Sequence, residues 1–272
     1  MTHELAYSNL KYNLSFLDHE YGENYYLLNS PYLLTLLDKI CSEDITQPLF
    51  TEYVRKAYSM LFNQAASHFL ETEVVKSKTR MSEYHKEGLY QGDVFKRDTK
   101  SVVVDLARAG MIPSQLIYNE LNYIFDYKNI RQDHFYAARK TNELGEVTGV
   151  DISGSKIGGG IDDSYVLFPD PMGATGGTIS EAISFYKKHV PGNVKKFISL
   201  HLIITPEYIK RLKEDHPEAE VYTIRLDRGL SSKKALESKP GMFPEEEKGL
   251  NPNQYIIPGA GGIGELLNNS FV

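Results

Sequence analysis

The chain has 272 residues, 41% hydrophobic and 24% charged, enough apolar material for one substantial core, which excludes a disordered or fibrous protein. A formal charge of -6 leaves no basic surface ready to neutralise a nucleic-acid backbone, so an anionic substrate has to be held by local groups. The single cysteine, Cys41, excludes an intramolecular disulfide and a cysteine-cluster zinc site, and reads as a small residue near a helix end.

Met1 to Asn13 have neither the apolar stretch of a signal peptide nor the arginine bias of a transit peptide. No apolar run elsewhere approaches the roughly 18 residues that span a bilayer. A cytoplasmic protein with no membrane or nucleic-acid partner is expected. Residues 1–48 are tyrosine-rich and irregular, which suggests an N-terminal arm or subdomain ahead of a main domain over 49–272. From Leu49 to Leu70 apolar residues recur at three- and four-residue steps, predicting a long amphipathic helix. Short branched runs follow at Ser101–Val104, Tyr165–Phe168, Phe197–Ile204 and Val221–Ile224, too short for helices and too continuous for half-exposed strands. Helical segments at Pro113–Phe125, Thr178–His189 and Pro206–Lys213 alternate with them. This alternation predicts an α/β fold, a parallel sheet flanked by helices, with ligands bound at the carboxyl ends of its strands.

Two further stretches do not read as core. Between about 140 and 163, Gly154 to Gly160 predict a mobile loop of the length that often serves as a lid, with a plain surface connection as the alternative. Ser231 to Asn253, with Lys233, Lys234 and Glu245 to Glu247, reads as a solvated insertion between two strands.

The chemistry concentrates in residues 165–178. A buried strand ends at Asp170, the turn Pro171-Met172-Gly173-Ala174-Thr175-Gly176-Gly177 follows, and Thr178 is a capping residue for the next helix. Glycines let backbone N–H groups approach an anion, hydroxyls add donors, and a helix N-terminus contributes partial positive charge. Asp170 would repel a phosphate, so it must face another part of the ligand, and on a sugar phosphate the neighbouring part is the diol. Two other nucleotide motifs fail on context. The turn lacks the Lys-Ser/Thr ending of a P-loop, and Gly259-Ala260-Gly261-Gly262-Ile263-Gly264 is followed by no strand and acid as a dinucleotide fingerprint requires.

The stretch Asp170-Pro-Met-Gly-Ala-Thr-Gly-Gly-Thr178 resembles the loop of uracil phosphoribosyltransferases that binds 5-phosphoribosyl 1-diphosphate (PRPP). The resemblance implies a type I phosphoribosyltransferase-like sheet with a mobile hood loop. It assigns PRPP contacts to Asp170, Pro171, Met172, Gly173, Ala174, Thr175, Gly176, Gly177 and Thr178. Val104 to Met111 resembles the family segment ending in Arg-Ala-Gly, which implies that Arg108, Ala109 and Gly110 hold the pyrophosphate, and a guanidinium at a strand end suits phosphate oxygens. His134 to Lys140 resembles the strand leading into the hood, where Arg139 survives from a Tyr-Arg pair and Ala138 replaces the tyrosine. Tyr255 to Gly264 resembles the segment that reads uracil through backbone groups, assigning Tyr255, Ile256, Gly261, Gly262 and Ile263 to the base within 254–265.

That segment departs from the family's Gly-Asp-x-Gly-Asp-Arg: Gly262 replaces the first aspartate, Glu265 the second and Leu266 the arginine. The resemblance runs from about residue 24 to about residue 266, with residues 1–23 and the loops near 155 and 240 as additions. It implies PRPP and uracil, or a related base, as ligands, a homo-dimer or larger assembly, and a magnesium ion (Mg2+) held mainly by PRPP, with no protein ligand specified. Asp170 and Arg108 would carry the chemistry, by charge stabilisation at an oxocarbenium-like centre and a departing pyrophosphate. His134, His189 and His201 read as packing or surface residues. A phosphoribosyltransferase for another base and a PRPP- or nucleotide-binding regulator are the two alternatives.

Overall fold

A computed structural model describes residues 6–141 and 147–270, leaving aside the side chains of 137–141 and 147–151. In chain order its elements are β1 (Tyr25–Leu27), α1 (Pro31–Cys41), α2 (Leu49–Phe69), β2 (Thr72–Lys78), β3 (Leu89–Phe95), β4 (Lys100–Ala107) and α3 (Met111–Ile124). Then follow β5 (Ile130–Thr141), β6 (Val147–Lys156), β7 (Ser164–Pro169), β8 (Met172–Gly173), α4 (Gly177–His189), β9 (Lys196–Ile204), α5 (Pro206–Asp215), β10 (Glu220–Leu226), α6 (Lys233–Leu236) and α7 (Ile263–Asn268).

The four apolar runs become β4, β7, β9 and β10 at the centre of a sheet ordered β1-β10-β9-β7-β4-β5-β6, with β8 added beside β9. Within this sheet all pairings are parallel except β5 with β6, while β2 and β3 form a separate antiparallel pair. Alternate residues bury on opposite faces: Val103, Leu167 and Leu200 pack in the core that includes α1, α2 and α3, whereas Val102, Val104, Val166 and Phe168 pack against α4 and α5. Burial on both faces is why these strands read as continuous apolar runs. In α2, Val54, Ala57, Leu61, Ala65 and Phe69 form the predicted stripe, and all are buried.

Several expectations change. Residues 25–41, read as part of an N-terminal arm, join the main sheet and core: β1 pairs with β10, and α1 buries Leu33, Leu36, Leu37 and Ile40. Ser30 caps α1, its side chain accepting from the Leu33 N–H, and Pro31 opens the helix. Much of the stretch read as a mobile loop is an antiparallel ribbon, with Gly154 to Lys156 paired to Tyr136 to His134. Gly158 to Gly160 do not cover the Asp170 end: they fold onto Arg131 near the start of β5, at the opposite end of the sheet. Arg131 donates to the carbonyls of Gly160 (2.6 Å) and Gly159 (2.9 Å). The region 231–253 contains α6 and buries Glu247 in an ion pair with Arg228 (2.9 Å), and only an isolated bridge between Leu250 and Ile256 follows it. Among the described residues no helix is long and apolar enough to cross a membrane.

Candidate active site

At the carboxyl end of β7 the chain is stitched to β9. The Asp170 N–H donates to the Leu200 carbonyl (3.1 Å), and the Pro171 carbonyl accepts from Leu202 (3.1 Å) and Ile203 (3.2 Å). Thr205 closes the turn from the far side, its hydroxyl donating to the Ala174 carbonyl (2.6 Å). The loop is thus held mainly by its carbonyls. The Ala174 N–H donates to the Met172 carbonyl (3.0 Å) and the Gly177 N–H to the Thr175 hydroxyl (3.4 Å), which leaves the N–H groups of Thr175 and Gly176, among the described residues, for a ligand. Gly176 has φ +77°, a left-handed conformation that disfavours side-chain-bearing residues. It, and not Thr178, precedes the helix: α4 starts at Gly177 with no side-chain cap, and Thr178 sits in its first turn. The uncapped start of a 13-residue helix therefore meets the cavity.

Beneath this loop lies a buried relay. His201 is fully buried and its pKa is pushed down to about 3 by loss of solvation, partly offset by its bond to the Asp170 backbone. The imidazole is therefore neutral. A carbonyl can only accept, so Nδ1–H donates to the Asp170 oxygen (2.5 Å), and Nε2 accepts from the Tyr208 hydroxyl (2.8 Å). The Ser199 hydroxyl completes the chain at 2.9 Å from Tyr208. His201 fits the expected packing role, and it packs against the backbone of the residue that matters most.

Two more segments reach the same cavity. After β4 the chain turns through a cis Ala107–Arg108 peptide, and Arg108 donates to the Ser270 hydroxyl (2.7 Å) and carbonyl (3.3 Å). The C-terminal segment is pinned by buried Asp227, which accepts from the Gly259 N–H (2.7 Å) and pairs with Arg225 (2.5 Å). Arg225 in turn donates to the Gly259 carbonyl (3.2 Å), and the Gly229 N–H to Ile257 (2.9 Å). Burial pushes the Cys41 thiol up, with Arg225 opposing, so the lone cysteine is not activated as a nucleophile.

The three segments enclose a cavity of about 600 Å³. Of the sequence-predicted residues, Arg108, Ala109, Asp170, Met172, Gly173, Ala174, Thr175, Gly176, Thr178, Tyr255, Ile256, Gly261, Gly262 and Ile263 line it. Gly110, Pro171 and Gly177 do not: Gly110 opens α3, Pro171 binds β9 through its carbonyl, and Gly177 starts α4 behind the loop. The Arg139 side chain lies outside the described residues. Sequence reading missed Tyr208 in the wall, and it covered Gln254 and Glu265 only as members of the 254–265 segment without singling them out. Nothing local marks Tyr208, whereas Glu265 carried a signal, an acid three residues after an unexpected glycine.

Sheet order, helices on both faces and a glycine- and threonine-rich loop after the central strand define a type I phosphoribosyltransferase-like protein. The profile of the uracil phosphoribosyltransferase family matches residues 27–243. The chain belongs to that family, whose members are pentosyltransferases. The matched span stops before 254–265, shorter than the residue-by-residue resemblance. The uracil phosphoribosyltransferase of Thermococcus sibiricus is 27% identical over 251 residues, covering 91% of this chain and 90% of that protein. The Mycoplasma genitalium enzyme of the same name is 27% identical over 239 residues, 86% of this chain and 94% of its own. Among solved structures, the AQ2163 protein of Aquifex aeolicus shares the fold, with a TM-score of 0.65 at 23% identity over 89% of this chain and 97% of that one.

Proposed function

We propose that the chain transfers the 5-phosphoribosyl group of PRPP to uracil, releasing pyrophosphate and forming UMP, a reaction that recovers a free pyrimidine base. The observation that carries this reading is the convergence of the 170–178 loop, Arg108 and the 254–265 segment on one cavity. Each matches one part of the reactants: the helix N-terminus a terminal phosphate, the arginine a pyrophosphate, and the backbone-lined turn a planar base.

In the step itself the bond from ribose C1 to the pyrophosphate oxygen breaks, a C1–N1 bond to uracil forms, and the N1 proton leaves to solvent or to the departing phosphate. Asp170 accepts from the ribose diol and supplies negative potential near the cationic C1. Arg108 stabilises charge on the leaving group. His201 and Tyr208 hold the Asp170 backbone in place.

The family uses a divalent metal, and we take it to be Mg2+. Among the described residues no group of three or more metal-ligating side chains comes together, while Asp170 and Glu265 are carboxylates of the cavity wall. That donor set fits an ion brought in on the substrate, which when bound neutralises pyrophosphate charge. The decisive experiment is a coupled assay with PRPP, Mg2+ and uracil. UMP formation supports the proposal; turnover only with another base reassigns the specificity, and PRPP binding without turnover on any base favours a regulator.

A further inference from the structure

Glu265 occupies an unusual place in the cavity wall. Gly262 precedes α7, and Glu265 lies in the first turn of that helix. A Cβ built on Gly262 would stand 1.7 Å from Glu265 Oε2 and 2.7 Å from its Cδ. The carboxylate is therefore folded into the space that a side chain at 262 would fill, and a Cβ there would push it aside. The helix carrying it is anchored by Ile263 and Leu267, both buried, and by Gln47, which donates to the Leu266 carbonyl (2.9 Å). Among the described residues the carboxylate has no hydrogen bond or ion pair of its own.

Its neighbourhood limits what it can bind. A Cβ on Gly264 would lie 3.3 Å from the Ala109 Cβ, so the start of α7 abuts the loop that carries Arg108. A carboxylate beside a pyrophosphate-holding loop cannot meet phosphate oxygens directly, because like charges repel. It can accept only through a donor set between them. The Arg108 guanidinium is held on Ser270, the ribose diol is matched by Asp170 and the base N–H groups by the backbone of 254–265, which leaves the hydration shell of the metal, since magnesium keeps several of its waters when it binds.

Resting on the phosphoribosyl-transfer reading above, we propose that Glu265 is a donor-binding residue whose carboxylate accepts hydrogen bonds from water on the magnesium ion that PRPP carries. Gly262 serves this role by leaving the space open. The exchange of positions also explains how a chain without an acid at 262 keeps one in the wall.

Calorimetric titration of the full chain with PRPP, with and without Mg2+, and with UMP tests this. Glu265→Gln keeps the shape and the acceptor that a helix N-terminus uses but removes the charge. It is expected to weaken Mg2+–PRPP about tenfold while leaving UMP binding, metal-free PRPP binding and the melting temperature within error. Gly262→Ala is expected to weaken Mg2+–PRPP likewise, by displacing the carboxylate, and Gly262→Asp/Glu265→Gly to restore at least half of the lost affinity on a logarithmic scale. Wild-type binding of Mg2+–PRPP with an unchanged Glu265→Gln constant would overturn this inference alone. Absence of PRPP binding by the wild type would overturn both this and the proposed function.

Discussion

The two ends of the sheet each carry an arginine and a glycine-rich segment, and they use them in opposite ways. Near the amino end of β5, Arg131 faces Gly158 to Gly160, and fully buried Asp133 gathers the remaining polar groups. It accepts from Arg131 Nε (3.0 Å), the Gly158 N–H (2.9 Å) and the Tyr186 hydroxyl (2.7 Å). Burial first, then Asp133, pushes the Tyr186 pKa far up, so the hydroxyl stays a donor. At the carboxyl end, the loop meets β9 and Thr205 through the carbonyls of Pro171, Gly173 and Ala174, and among the described residues the Arg108 guanidinium donates only to Ser270. Glycine content does not distinguish a ligand loop from a structural one. What distinguishes them is whether the protein itself consumes the donors.

The largest effect should come from breaking the closed end. Asp133→Ala leaves a guanidinium and a phenol without their shared acceptor, which is expected to cost about 3 kcal/mol in urea denaturation. Because the loss is remote from the cavity, PRPP affinity of the folded variant should be unchanged. At the open end the balance reverses: Asp170→Asn should cut turnover at least tenfold, with an unfolding midpoint near that of the wild type.

A third variant probes the open end through pH. The folded-state pKa of His201 is depressed, so the unfolded chain takes up a proton that the native state refuses. The stability associated with neutral His201 is present above its unfolded pKa of about 6.5 and is lost as pH falls toward about 3. In His201→Gln the slope of unfolding free energy between pH 6.5 and 4 should drop by up to one proton, about 1.4 kcal/mol per pH unit. An unchanged slope would show that another group sets the acid limb, with His68, also lowered by burial, the first to examine. The smallest effect belongs to the latch on Arg108: Ser270→Ala, which removes one hydrogen bond from the guanidinium, should tighten PRPP binding by no more than about threefold.

How far the sequence could be read follows the same division. Strands β4, β7, β9 and β10 were legible because burial on both faces leaves a continuous apolar run, and α2 because one face repeats at helical spacing. The hairpin of β2 and β3 was not, since Thr72 to Lys78 alternates between exposed and half-buried residues and lacks a hydrophobic face. Strand β1 is three residues long, below the length at which a pattern shows. The 165–178 segment was legible because a phosphate-type loop must be built locally, from consecutive residues. Tyr208 reaches the cavity from α5, and no local pattern announces such a convergence, whereas Glu265 was marked only by the unexpected glycine three residues before it.

The central claim is that the carboxyl end of the sheet binds the sugar diphosphate and the amino end does not. Calorimetric titration of PRPP with Mg2+ into Arg108→Ala and Arg131→Ala tests it most directly. The account predicts that Arg108→Ala loses about thirtyfold in affinity, the worth of a charge-assisted phosphate contact of about 2 kcal/mol, while folded Arg131→Ala binds like the wild type. Equal affinities for the Arg108 variant and the wild type, or a loss confined to the Arg131 variant, would contradict it.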